Sequence, residues 1–294
     1  MLNINTNYAA AFAANATKRT TAGLDTAMER LSSGSRINYA RDDAAGLAIA
    51  TRIQAEVQSI SMASRNAADA QSMLDTADGA LAETHSVLLR MRELAVQASN
   101  GTLNNDDRAA LDAEFQQLES EIDRIDANTT FAGVSLFDGS TKSFQVGIDG
   151  SGTSNQIQAS IANMAANNLG VDSAGPDNKT NATAGHADNT DNVAADLTDA
   201  TNAAAMITAV DNAIKLVSTE RGKLGAVSNR LTSTIANLDQ VAVNLSASQG
   251  RIQDADFAAE TANLAKNQIL QQAGIAMLAQ ANASQSTVLS LIQN

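Results

Sequence analysis

The sequence predicts a mainly α protein: an elongated antiparallel helical bundle of coiled-coil character, with a small β-hairpin region and with its N- and C-terminal helices paired. Three observations lead there. Apolar residues recur in alternating three- and four-residue steps over long stretches of both halves. A single proline, Pro176, stands in 294 residues, so little interrupts a helix. The helical period gives way to strict alternation with Gly-rich breaks only near the middle of the chain.

In the first half Ile53, Val57 and Ile60 form one stripe, and Met73, Ala77, Ala80, Thr84, Val87, Met91, Leu94 and Ala98 form another. Both lie on a helix over roughly 44–98, which at 1.5 Å per residue is ~80 Å long. Asn100–Gly101 is a stop signal, and Asn104, Asn105, Asp106 and Asp107 suit the next helix start. Leu111, Phe115, Leu118, Ile122 and Ile125 continue that helix on one face. The short loop makes the two helices antiparallel neighbours.

Beyond 129, Phe144, Val146 and Ile148, then Ile157, Ala159 and Ile161, alternate between the breaks Asp138–Gly139 and Asp149–Gly150. This is a β-hairpin pattern. Residues 166–201 hold six aspartates against one lysine, with Leu169, Val171, Val193 and Leu197 as their only large apolar side chains. Such a stretch hardly builds its own core and is expected as an exposed loop. Val210, Ile214, Val217, Arg221, Leu224, Ser228, Leu231, Ile235, Leu238, Ala242 and Leu245 then sustain the seven-residue repeat, broken in apolar character only by Arg221 and Ser228.

The organisation that follows is nearly palindromic. Residues 1–43 and 250–294 supply the two parts of a terminal-helix domain. Residues 44–165 (with the hairpin region) and 201–249 supply the two parts of a long-helix domain, and 166–200 form a short surface loop between them.

Composition removes several function classes. The formal net charge is −13, which argues against nucleic acid and anionic lipid, since phosphate binding needs clustered Lys and Arg. There is no cysteine, hence no disulfide frame and no thiolate site. The first 17 residues carry no side-chain charge and Lys18–Arg19 follow them, the reverse of a secretory signal. Residues 267–294 are uncharged but contain nine Asn and Gln, too many for a lipid-exposed span.

Catalytic and cofactor signatures are missing too. The two histidines exclude a His-Glu-x-x-His zinc site. His85 reads as packed or solvated on a helix stripe, and His186 as solvated in the polar loop. "VGIDGSGTS" lacks the Gly-Lys-Ser/Thr ending of a phosphate loop and reads as a turn. The aspartates of 166–201 lack calcium-loop spacing, and triplets such as Asn128–Thr129–Thr130 arise by chance in a chain rich in Asn and Thr. No metal, cofactor or enzymatic activity is expected.

The termini carry the positive signal. Leu270, Gly274, Met277, Ala281, Ser284, Val288 and Leu291 form one stripe, and Ile275, Leu278, Asn282, Gln285, Leu289 and Ile292 a second beside it. At the front Ile4, Tyr8, Ala11 and Phe12 are similarly spaced, with Leu24, Met28 and Leu31 after them. Pairing the terminal helices covers one face of each and leaves apolar surface for further partners. Identical chains joined head to tail supply them and give a helical filament. The candidate polymerisation interface is therefore Ile4, Tyr8, Phe12, Leu270, Met277, Leu278, Val288, Leu289, Leu291 and Ile292.

At these residues the chain resembles bacterial flagellin. The resemblance rests on "LSSGSRINYARDDAAGLAIA" (31–50), "RMRELAVQASN" (90–100), "AEFQQLESEIDRI" (113–125), "LGAVSNRLTSTIANL" (224–238), "RIQDADFAAE" and "ILQQAGIAMLAQAN", in that order. It covers all but the polar loop. It implies a subunit that leaves the cell through the flagellar export channel and polymerises into the extracellular filament, with the terminal helices as inner core and the long helices with the hairpin as the surrounding layer. It also implies an export chaperone on the C-terminal segment, and filament-cap and hook-junction proteins as partners.

By the same resemblance, vertebrate Toll-like receptors that sense the family contact positions matching Arg90, Leu94, Gln97 and Glu114. Leu89 and Met91 depart from the sensed pattern, where Gln and Val are common. Filament packing is the primary role expected of these positions. The nearest alternative is a hook–filament junction protein, which shares related ends; the unbroken "ILQQAGIAMLAQAN" and "RELAVQ" favour the major subunit. A chemoreceptor-like rod would need a membrane span, and an enzymatic insert would need more than residues 166–201 contain.

Overall fold

The computed structural model describes residues 6–148, 152, 155–172 and 197–292, and side chains as far as residue 286. Six helices and four short strands follow in order. They are α1 (Tyr8–Ser33), α2 (Ala44–Ala98), α3 (Asn105–Asn128), β1 (Thr130–Phe131), β2 (Val134–Ser135), β3 (Thr141–Gln145), β4 (Gln156–Ser160), α4 (Ala166–Leu169), α5 (Ala200–Gln253) and α6 (Phe257–Ile292). The chain divides into two compact units, Met1–Gln58 with Ala242–Asn294, and Ser59–Val241. The division falls inside both long helices.

The second unit holds the larger core. Along α2 its most deeply buried line is Ala67, Ala70, Leu74, Ala77, Leu81, Thr84, Leu88, Met91, Ala95 and Ala98, an unbroken alternation of three- and four-residue steps. Leu74, Leu81 and Leu88 are more deeply buried than Met73, Ala80 and Val87 of the expected stripe. The stripe is broad because α2 is met from two sides. Arg90 reaches Glu114 of α3, and Arg92 reaches Asp211 of α5. His85 is half-buried beside that line.

The α5 repeat packs through Val210, Val217, Leu224 and Leu231. Its two polar breaks have partners on α2. Arg221 donates to both Asp78 carboxylate oxygens, at 2.7 and 3.2 Å, and the pair holds the guanidinium pKa above its ordinary value. Gln71 donates to Ser228 and Thr232. With Ser64–Asp239 and Arg92–Asp211 these polar links sit on α2 at multiples of seven residues (64, 71, 78, 92), each across from α5 in one antiparallel register. Polar positions in an apolar seam fix register, because a slipped alignment leaves them unmatched.

The α2–α3 turn closes as its signals require. Asn104 caps α3 in a capping box with Asp107. Arg108, buried, donates to the carbonyls of Ala98 and Asn100, which the end of α2 leaves without helical partners. Phe115 and Ile122 carry the inner face of α3.

Strands β1 and β2 pair across Ala132–Gly133, both at positive φ (50° and 82°), a two-residue hairpin turn absent from the sequence reading. Strands β3 and β4 form the expected antiparallel hairpin with Phe144 opposite Ile157. Ile148 lies past the end of β3 and is exposed. Asp138, bonded to Lys142 and Ser140 ahead of β3, has its carboxyl pKa drawn down to about 2.

One difference from the sequence reading concerns the flanks of the acidic segment. Leu169, Val171 and Leu197, expected in an exposed loop, are buried. The stretch brings no core of its own, yet its ends insert into a core that α2, α3 and α5 already provide. Carboxylates of α3 hold them by the backbone: Asp126 accepts from the Met164 amide, Asp123 from Ala166 and Asp112 from Leu197. Burial raises the Asp126 pKa despite that amide. Residues 173–196, which include Val193 and His186, lie outside the described residues.

In the first unit, Gly34 ends α1 in the left-handed region (φ 71°). A bridge between Ser35 and Asp254 then ties the α1–α2 turn to the α5–α6 turn. Arg36 donates its amide to Gln253 and its guanidinium to the Ile252 carbonyl, both at 2.7 Å. Asp43 and Asp256 cap the starts of α2 and α6.

Replacing Leu197 by alanine removes a fully buried side chain and should destabilise the second unit by about 2–5 kcal/mol. Urea denaturation checks this, and an unchanged midpoint would show that the C-terminal flank is not anchored.

Candidate assembly surface

Helices α1 and α6 pair antiparallel along a seam of mostly small or polar residues, with four leucines among them. On α1 the covered line is Ala10, Ala13, Thr17, Thr20, Leu24, Ala27 and Leu31; on α6 it is Glu260, Leu264, Asn267, Gln271, Gly274, Leu278, Ala281 and Gln285. Both keep the three-four step. Polar contacts cross the seam. Asn7 donates to the Ala281 carbonyl and Gln271 to the Thr21 hydroxyl, both at 3.2 Å, and Arg30 lies 3.8 Å from Glu260. A Cβ placed on Gly274 would stand 2.6 Å from the Thr17 hydroxyl, so this crossing depends on glycine.

The large apolar side chains point the other way. Tyr8 is 68% exposed, Phe12 79% and Met277 64%, and Met28, Phe257, Ile269, Leu270 and Ile275 are exposed as well. An ordinary surface helix hides such residues; this pair leaves many of them exposed. A few hundred Å² of apolar surface is worth several kcal/mol when covered, at about 25 cal/mol per Å².

Of the residues singled out from the sequence, Tyr8, Phe12, Leu270 and Met277 lie on that open face, and Leu278 is half-buried in the seam. Ile4 and the side chains of Val288, Leu289, Leu291 and Ile292 lie outside the described residues, although the backbone of α6 runs to Ile292. Phe257 and Ile269 were missed. For Ile269 the signal was available: once the line through Asn267, Gln271 and Gly274 is assigned to the seam, it falls on the opposite side, whereas Phe257 stands three residues before Glu260, in step with the seam, and only the structure shows it exposed.

The second constellation divides. Arg90 binds Glu114 of α3 at 2.7 Å and Glu93 at 2.9 Å, and these two carboxylates, Glu114 first, raise its guanidinium pKa. Arg90, Gln97 and Glu114 are exposed, with Leu89 and Val96 beside them. Leu94 is not on this surface; it is 1% exposed and packs in the core. Among the described residues there is no group of three or more His, Cys, Asp or Glu arranged to hold a metal, and no helix is long and apolar enough to cross a membrane.

A helix pair that leaves large apolar residues outward has surface for further partners. Residues 4–142 match the bacterial flagellin N-terminal helical region and residues 207–292 the bacterial flagellin C-terminal helical region. The chain is 44% identical to a flagellin of Halalkalibacterium halodurans, over 91% of each chain. It is 41% identical to a flagellin of Bacillus subtilis, over 99% of this chain and all of the relative. A Vibrio parahaemolyticus structure described as a flagellar hook-associated protein shares the fold over 72% of this chain and 100% of its own, with a TM-score of 0.57 and 15% identity.

The chain belongs to the bacterial flagellin family. It is a structural subunit that polymerises into the flagellar filament for motility, its terminal helices forming the inner core.

Gly274→Val should separate α1 from α6 at their closest crossing. The expected result is faster amide exchange along both helices, with the second unit unchanged; equal exchange in wild type and variant would refute the close-packed seam.

Proposed function

We propose that the chain is the major, non-enzymatic subunit of an extracellular flagellar filament, and that Tyr8, Phe12, Leu270 and Met277, with Ile4, Val288, Leu289, Leu291 and Ile292, form its polymerisation interface, Leu278 acting from the seam behind them. The observation that carries this is the outward apolar face of the α1–α6 pair. Residues 1–43 and 250–294 make the inner layer in this reading, 44–165 and 201–249 the layer around it, and 166–200 the surface segment between. An uncharged C-terminal segment with regularly spaced apolar residues suits an export chaperone before assembly. The export apparatus, the filament cap and the hook-junction proteins are its other flagellar partners.

Sedimentation tests the interface. Wild-type chain seeded with filament fragments should pellet, whereas a chain ending at residue 250 and a Phe12→Ser/Met277→Ser variant should stay soluble. Pelleting of the double variant at the wild-type level would remove those residues from the interface, and scarcity in sheared filaments would favour a junction protein over a major subunit.

Recognition by a flagellin-sensing Toll-like receptor is proposed for the monomer through Arg90, Gln97 and Glu114, the exposed members of that set. Leu94 would act from inside by holding α2 in place. Arg90→Ala should weaken receptor binding at least tenfold, a loss of about 1.4 kcal/mol; unchanged binding by surface plasmon resonance would sink the assignment.

A further inference from the structure

The chain contains one Asn–Gly dipeptide, Asn100–Gly101, in the turn between α2 and α3. Asn–Gly is the pairing most prone to succinimide formation, because glycine puts no side chain in the way of ring closure. We propose that Asn100 is a site of spontaneous deamidation in the folded protein, with water as co-reactant and ammonia as leaving group.

Three features of the turn favour the reaction. Gly101 donates its N–H to no acceptor among the described residues, so the nucleophile is not tied up. A helical asparagine such as Asn66 or Asn128 has its neighbours' amides committed to the i→i−4 ladder or a cap. Second, the Asn100 side-chain oxygen accepts the Thr102 amide at 3.2 Å. That bond folds the side chain over the following peptide. It also places a donor where negative charge gathers when the amide carbon is attacked, the principle of an oxyanion hole. Third, Asn100 and Gly101 are both exposed, and a Cβ placed on Gly101 meets nothing within 4 Å, so the ring has room and water has access.

The step balances without an external oxidant or reductant. The Gly101 nitrogen, having lost its proton to solvent, bonds to the Asn100 side-chain carbonyl carbon, and that carbon releases its amine as ammonia. Water then opens the five-membered imide at one of its two carbonyls. Cleavage at the ring nitrogen on one side gives aspartate, and on the other isoaspartate, in which the main chain runs through the side-chain carbon.

Both products disturb this turn. Aspartate puts a carboxylate just past the C-terminus of α2, where the helix dipole already presents negative charge. Isoaspartate lengthens the main chain by one carbon beside the Asn100 carbonyl, which Arg108 holds at 3.1 Å.

The test is peptide mapping by mass spectrometry of the folded full-length chain incubated in mildly alkaline buffer, beside a Gly101→Ala variant. The open space around Gly101, and its backbone outside the left-handed region, should let that variant fold, and circular dichroism checks it. The expected result is conversion at Asn100 several-fold faster than at Asn66 or Asn128. Isoaspartate should be detectable by enzymatic methylation, and Gly101→Ala should slow conversion several-fold. Conversion at Asn100 no faster than at the helical asparagines, or equal rates in wild type and Gly101→Ala, would overturn the proposal.

Discussion

The second unit depends on one constraint: α2 and α5 must meet in a single antiparallel register. Leu74, Leu81 and Leu88 on one helix and Val217, Leu224 and Leu231 on the other drive their association, but leucines and valines alone would tolerate a slip of one heptad. Arg221–Asp78 and Arg92–Asp211 do not tolerate it. Being partly exposed, such ion pairs add little to stability; their contribution is to leave the correct alignment with no good rival. With that register set, α3 docks on α2 through Arg108 and Phe115, and the α3 carboxylates Asp112, Asp123 and Asp126 find the amides of Leu197, Ala166 and Met164.

The terminal pair solves the opposite problem with the same period. Here the seam is mostly Ala, Thr, Asn, Gln and Gly, with Leu24, Leu31, Leu264 and Leu278 among them, which lets two helices approach closely while burying modest apolar area. Many of the other large side chains are left outside. The same three-four alternation therefore codes for an apolar core in one unit and for a mostly small and polar seam in the other.

This explains which parts of the structure could be read from sequence. The bounds of α2, the Asn104 start of α3 and the β3–β4 hairpin were legible because each rests on local signals: periodicity, a capping box, alternation between turns. The flanks at Leu169, Val171 and Leu197 were misread because their burial is supplied by distant elements, and hydrophobicity counted along one stretch cannot register a core donated by others. Leu94 was placed on a surface by resemblance, although its position on the α2 stripe already pointed inward. The β1–β2 hairpin escaped because Ala132 gives no hint of a positive φ.

Charge distribution completes the physical logic of assembly. A chain of net charge −13 repels its own copies, and burying an unpaired charge between them would cost several kcal/mol. Residues 267–294 carry no charged side chain at all. The polar groups in that segment are amides and hydroxyls, which can be satisfied by short-range hydrogen bonds, as Gln271 is by Thr21. Repulsion between copies therefore comes from charges elsewhere in the chain, and where these lie in water salt screens it over about 10 Å. A contact made along residues 267–294 meets no charged side chain of that segment.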